Sequence, residues 1–340
     1  MPFETPMSDI LPPYWLPDRH SQTIVPALMG RRLIASTGLV RQRWATPDGD
    51  FIDVDRNQTS LSDVDRPLLV LFHGLEGSAG SHYARAFSAW ASGLGLGYAI
   101  PHFRGCSGEL NAGPRAYHSG DHGEVDWILR RLKMESSSRS LMAVGVSLGG
   151  NALAHWVGLQ AETAGTVVDA AAAVSAPLDL TASGHAMQRG FNRHVYGRLF
   201  LNTMLPKARQ KARQYPGLFS VDALAEVRTL YDFDNVFTAP VHGFGSTEHY
   251  WRKASAKPLL HNVRLPLLLL NAQNDPFVPR QSLPGPRDVS RVVSLWQPKA
   301  GGHVGFPGRW MRSRPVGSWL MGMPEHVGRW LLRHVSPGSI

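Results

Sequence analysis

Apolar residues recur along this chain in two rhythms. Between residues 31 and 57 they alternate loosely, through Leu33, Ile34, Leu39, Val40 and Trp44, then across a Pro47-Asp48-Gly49 turn to Phe51, Ile52 and Val54, which predicts an antiparallel hairpin. From Pro67 onward, short apolar runs bounded by glycine fall at 68–72, 98–103, 141–146, 167–175, 265–271 and 292–296, separated by segments of helical period. Strands buried on both faces read as such unbroken apolar runs, so the pattern predicts a mostly parallel sheet built from βαβ units. One intervening helix is marked by Val125, Ile128, Leu129 and Leu132 at i, i+3, i+4 and i+7, and Asp121 with Glu124 forms a candidate capping box. Another begins at Leu148, where Gly149, Gly150, Ala152 and Ala154 suit close packing on the sheet and Leu153, Trp156 and Val157 supply the buried side.

The alternation lapses between Leu178 and Asn262, where the chain turns aromatic and basic. This stretch is expected to be a cap inserted over the sheet, approximately 180–262, within a single domain spanning 1–340. Alternation resumes at Leu265, and an amphipathic segment with Trp319, Leu320, Val327, Trp330, Leu331 and Leu332 closes the chain. The proline-rich residues 1–30 read as an extended N-terminal arm.

Composition narrows the class. In 340 residues, 43% are hydrophobic and 18% charged, a globular balance able to bury a large core. The single cysteine, Cys106, cannot form an internal disulfide, and the N-terminus has Glu4, Asp9 and prolines where an export signal has a basic start and an apolar run. A cytoplasmic location is expected. The apolar runs fall far short of the roughly 20 residues a membrane-crossing helix needs. The formal net charge of +9 is scattered except between Arg189 and Arg213, and no nucleic-acid-binding motif accompanies it. That basic stretch reads first as the solvated face of a cap helix, and second as a lid making peripheral contact with anionic lipid.

The chemistry concentrates at Gly145-Val146-Ser147-Leu148-Gly149, between the run 141–146 and the small-residue helix. A nucleophile on such a strand-to-helix elbow takes a strained backbone that lifts its hydroxyl above the sheet, and flanking glycines make room for the crossing elements. This context points to the α/β-hydrolase fold with Ser147 as nucleophile. In that fold the acid and then the base follow the serine in the chain. Asp275 stands just past the run 265–271, with Asp179, past 167–175, as its rival. His303 lies in Gly301-Gly302-His303-Val304-Gly305 after the last core strand, where glycines let the ring reach the elbow. The oxyanion donors expected are the backbone N–H groups of Leu148, next to the nucleophile, and of Leu75, in the His73-Gly74-Leu75-Glu76-Gly77 loop.

Other features carry less. His118 and Asp121-His122 lack a third ligand cluster, so no metal is expected. Gly93, Gly95 and Gly97 precede a strand, whereas a phosphate-cradling loop follows one, so no nucleotide cofactor is expected. Cys106 has no partner that would activate it and reads as structural.

Jointly, His73-Gly74-Leu75-Glu76-Gly77, Phe103-Arg104-Gly105-Cys106-Ser107-Gly108, Tyr117-His118-Ser119-Gly120-Asp121, Gly145 to Asn151, Ser175-Ala176-Pro177-Leu178-Asp179, Tyr231-Asp232, Tyr250-Trp251, Asn274-Asp275-Pro276 and Gly302-His303 resemble the YheT-like family of α/β-hydrolases. That family also includes yeast medium-chain ethyl ester synthase/esterases and animal membrane-anchored relatives. The resemblance implies a triad at Ser147, Asp275 and His303, and hydrolysis of carboxylic esters with an acyltransferase side reaction. The anchor of the animal relatives is not seen here, so no membrane location is transferred. The expected substrate is a small-molecule ester of short to medium acyl chain, cleaved through an acyl-enzyme. An acyltransferase using an alcohol acceptor, a peptidase and a non-catalytic binding protein on the same scaffold are the competing readings, the last disfavoured because all three triad positions are occupied.

Overall fold

The computed structural model describes residues 11–136, 139–308 and 317–335. Its centre is an eight-stranded sheet of β1 (Val40–Ala45), β2 (Phe51–Arg56), β3 (Leu68–Phe72), β4 (Gly97–Pro101), β5 (Leu141–Val146), β6 (Ala170–Val174), β7 (Leu267–Leu270) and β8 (Val293–Trp296). The spatial order is β1-β2-β4-β3-β5-β6-β7-β8. β1 pairs antiparallel with β2, and β2 antiparallel with β4, while the pairs from β4 through β3, β5, β6 and β7 to β8 are parallel.

Side chains alternate between the two faces of the sheet, and helices cover both, which is why these strands carry no polar side. Leu68, Val70 and Phe72 of β3 point to the same layer as Leu141 and Ala143 of β5 and Leu267 and Leu269 of β7. There they meet Val125, Ile128, Leu129 and Leu132 of the helix His122–Glu135, and Leu153, Trp156 and Val157 of Leu148–Gln160. Leu69, Leu71, Met142, Val144 and Leu268 point the other way, onto Phe87 and Trp90 of His82–Gly93 and Val327, Trp330 and Leu331 of Gly322–Leu332. Each such side chain contributes about 1.5–3 kcal/mol on full burial. The rigid result fixes the loops at the carboxyl ends of the parallel strands, where ligands bind in open α/β sheets.

Two expectations change. Residues 1–30 are not an extended arm over their described second half. Arg19–Leu33 is a helix, and Asp18 caps it by accepting from the amides of His20 (2.8 Å) and Ser21 (3.1 Å). Its buried side consists of Gln22, Thr23, Pro26 and Gly30, so no apolar period announces it. Residues 1–10 of that arm lie outside the described residues. The Asp121–Glu124 capping box also does not form. Asp121 pairs with Arg115, and Glu124 accepts from Arg104 Nε at 2.6 Å, so ion pairing has claimed both carboxylates.

Between β6 and β7 the chain runs through the helices Leu180–Met187, Arg198–Gln214 and Thr247–Ala254, with shorter turns between them. Of the basic side chains expected on one solvated face, Arg193, Arg198, Arg209 and Arg213 are exposed, but Lys207 and Lys211 turn inward. Among the described residues, no helix is long and apolar enough to cross a membrane.

Candidate active site

Ser147 sits between β5 and the helix Leu148–Gln160 with φ 53° and ψ −119°, a backbone conformation that costs a non-glycine residue of order 1–3 kcal/mol. Its neighbours explain why the turn can be this sharp. A Cβ on Gly145 would lie 2.4 Å from the Gly149 carbonyl oxygen, and one on Gly149 would lie 2.4 Å from that of Phe72. The strand and helix therefore cross at backbone contact. The Ser147 amide holds the elbow to the sheet by donating to Val174 O at 2.8 Å.

The structure brings Ser147, His303 and Asp275 together. Ser147 Oγ lies 2.9 Å from His303 Nε2, while His303 Nδ1 lies 2.9 Å from Asp275 Oδ2 and 3.1 Å from Oδ1. With Asp275 as an ionised acceptor, Nδ1 carries the proton, and Nε2 is left to accept from the serine hydroxyl. Asp275 is itself held in place, because its Oδ1 accepts from the amides of Phe277 (2.7 Å) and Val278 (3.2 Å). The Phe277 ring lies against the imidazole with centroids 4.1 Å apart. The rival acid, Asp179, is elsewhere. It caps the helix Leu180–Met187 by accepting from the Ala182 amide at 3.0 Å.

Leu75 and Leu148 both border the cavity above Ser147. The amides on either side of Leu75 are occupied, Gly74 N donating to Tyr83 Oη and Glu76 N to Tyr117 Oη, each at 2.9 Å. The Leu148 amide opens a helix and so has no carbonyl within it. Among the described residues, neither the Leu75 nor the Leu148 N–H has an acceptor. Beneath this loop His73 is a buried strut. Its Nε2 accepts from Phe103 N at 3.0 Å, and its Nδ1 donates to Gly74 O at 2.8 Å. Burial drives its pKa down to about 3, which keeps it neutral and able to fill both roles.

Several supporting residues were not visible in the sequence. Thr23 Oγ1 accepts from the His303 amide at 2.8 Å, and Gln22 Oε1 accepts from Gly301 N (3.0 Å) and Asn274 Nδ2 (2.9 Å). The N-terminal helix thus clamps the loops that carry Asp275 and His303. The Asp18-x-x-Ser21 capping pattern just ahead of these residues was the one available signal for that helix. Lys207 reaches from the helix Arg198–Gln214 to Glu76 (2.8 Å), joining the excursion between β6 and β7 to the Leu75 loop. Cys106 is buried nearby, its Sγ 3.9 Å from Lys207 Nζ, with burial pushing its thiol up to about 12. Among the described residues, no three His, Cys, Asp or Glu side chains are grouped to hold a metal.

The cavity next to Ser147 measures about 180 Å³. Its walls are largely apolar, with Met187, Phe200, Met204, Phe233, Phe237 and Phe277 among them, and most of these come from the excursion between β6 and β7.

Sheet order, elbow and side-chain constellation together define an α/β-hydrolase, and the chain belongs to that family: residues 67–308 match its model, described as the alpha/beta hydrolase fold. Within the family it belongs to the YheT-like branch. It is 40% identical over 310 residues to YheT of Escherichia coli (strain K12), a protein named provisionally as an esterase, covering 88% of this chain and 89% of that one. It is also 27% identical over 331 residues to phospholipase ABHD3 of Bos taurus, covering 93% and 79% of the two chains. Among solved structures, an esterase of Pyrococcus furiosus superimposes with a TM-score of 0.54 at 14% identity, covering 87% of this chain and 91% of that one, a likeness of fold alone.

Proposed function

We propose that this protein is a serine esterase in which Ser147 is the nucleophile, His303 the general base and acid, and Asp275 the residue that orients the imidazole. The observation that carries the reading is the continuous line from Asp275 Oδ2 through His303 to Ser147 Oγ, each step 2.9 Å. His303 takes the serine proton as Oγ attacks the ester carbonyl, and returns it to the departing alkoxide. The oxyanion formed meanwhile is met by the Leu75 and Leu148 amides, whose lack of an acceptor among the described residues suits them to a charge present only during the reaction. Water, deprotonated by His303, then resolves the acyl-enzyme. The names of the relatives, an esterase and a phospholipase, agree with ester hydrolysis in general.

The helices between β6 and β7 act, in this reading, as the cap, and the apolar cavity beneath them holds the acyl chain. Its volume is smaller than the roughly 300–1,000 Å³ of sites for drug-sized ligands, which favours short to medium chains. The single cysteine fits a reducing compartment, and we place the enzyme in the cytoplasm. Hydrolysis of a p-nitrophenyl ester series by wild type and Ser147→Ala tests the proposal. Turnover that peaks at short or medium chains and vanishes in the variant is expected, whereas equal turnover in both would remove Ser147 from the mechanism.

A further inference from the structure

The cavity is not uniformly apolar, and its charged groups differ in how they are paired. Glu76 and Lys207 neutralise each other at 2.8 Å, Arg104 is held by Glu124 and Asp50, and Lys211 Nζ donates to Asn111 O at 2.9 Å. Lys211 therefore has only neutral partners, and Asp234 is the acidic group in the same position. It lines the cavity, yet its carboxylate has only neutral partners among the described residues, Thr238 Oγ1 at 2.8 Å and Trp251 Nε1 at 2.9 Å. A half-buried carboxylate without a cation is disfavoured, and desolvation pushes this one up to about 6. Each oxygen keeps a lone pair after its one hydrogen bond.

A second polar group lies in the wall of the same cavity. Ser183, 5% exposed, lines the cavity from the helix Leu180–Met187, and its buried Oγ has no hydrogen-bond partner among the described residues. The next residue shows how close that helix lies to Trp251. A Cβ on Gly184 would fall 2.3 Å from Trp251 Cη2, so the helix backbone rests directly on the ring whose Nε1 holds Asp234. An orphaned buried hydroxyl is unfavourable unless something that enters the cavity bonds to it.

We propose that Ser183 and Asp234 form a hydroxyl-recognition subsite, and that the preferred substrates are esters whose acyl chain carries a hydroxyl group. A hydroxyl both donates and accepts. It gives its proton to the Asp234 carboxylate and takes one from Ser183, using both open valences of the wall. An ammonium group would satisfy Asp234 alone and a ketone Ser183 alone. The proposal rests on the esterase reading above, with the acyl chain in this cavity.

The test compares ethyl octanoate with its monohydroxylated isomers, followed by pH-stat for wild type, Ser183→Ala and Asp234→Asn. Wild type should turn over at least one isomer with kcat/KM about ten-fold above that of octanoate, the effect of giving the buried Ser183 hydroxyl a partner and Asp234 a further donor. Ser183→Ala should remove most of that preference while leaving octanoate hydrolysis within about two-fold, because the hydroxyl lost has no partner among the described residues. Equal rates for octanoate and every isomer in wild type, or a Ser183→Ala loss that falls equally on octanoate, would overturn the subsite. If no ester is cleaved, the esterase reading fails, and calorimetry of wild type with hydroxyoctanamides against octanamide decides the subsite by itself. Tighter binding of a hydroxylated amide supports it and equal affinities reject it.

Discussion

Thr23 is remote in sequence from the triad, yet it accepts the backbone N–H of His303 at 2.8 Å while donating to Arg19 O at 2.7 Å. Thr23→Val keeps the shape and removes the acceptor, leaving a buried amide unpaired at a cost of about 1–3 kcal/mol. In a chain of this size that lowers Tm by a few degrees at most. The larger effect should be kinetic. The histidine loop already holds Val304 at φ 62° and Gly302 at φ 61°, and it is fastened chiefly through Thr23, Gln22 and Ser175, the last accepting from Val304 N at 3.0 Å. Loosening one tie lets the imidazole drift from its 2.9 Å contact with Ser147, and a misplacement of about 1 Å costs on the order of 10²-fold. Initial rates on a p-nitrophenyl ester should show kcat reduced about 10- to 100-fold with KM little changed, and Thr23→Ser, which restores the oxygen, should recover most of it. A Thr23→Val enzyme that melts lower but keeps its kcat would show that the N-terminal helix supports the fold without positioning the base.

Asp275→Asn should lower kcat by about 10⁴-fold with little change in KM, since an amide no longer fixes the tautomer that leaves Nε2 free to accept; steady-state kinetics at pH 8 decides it. Gly149→Ala should yield little folded protein, because the new Cβ would lie 2.4 Å from Phe72 O and 2.5 Å from His73 O, and circular dichroism with soluble yield reports this directly. Stability should fall as pH drops below about 6.5. Burial holds His73, His118 and His242 down at about 3 and His82 and His155 at about 4, so they stay neutral in the fold while the unfolded chain takes up protons from their ordinary value of 6.5. Even two such histidines, charged on unfolding but not before, give about 2.5 kcal/mol per pH unit, visible in urea titrations between pH 6.5 and 4.5; a flat profile there would refute the burial argument.

The parallel strands were legible because strands covered by helices on both sides need no polar residues, so β3 and β5 stand in the sequence as unbroken runs with their observed ends. Other ends moved. The run 98–103 gives only Gly97–Pro101, because His102 leaves the strand to place its Nε2 against Asp55, and 167–175 shortens to Ala170–Val174, because Val167 and Val168 bond back to Ala164 in the preceding turn. The elbow and the glycine-flanked histidine were readable because backbone crowding dictates those glycines. The N-terminal helix was not, since its buried face is polar and its partners lie some 280 positions away, as from Thr23 to His303. Nor were Tyr83 and Tyr117, whose hydroxyls hold the amides flanking Leu75, because a tyrosine that packs and one that positions a loop look alike in sequence.

The most direct test of the central claim is to treat the folded enzyme with a dialkyl p-nitrophenyl phosphate, which forms a stable adduct only on an activated serine, and to map the labelled peptide by mass spectrometry. One phosphoryl group per chain is expected, on Ser147, formed slowly or not at all in His303→Ala. An unmodified Ser147, or an equal label on another serine, would contradict it.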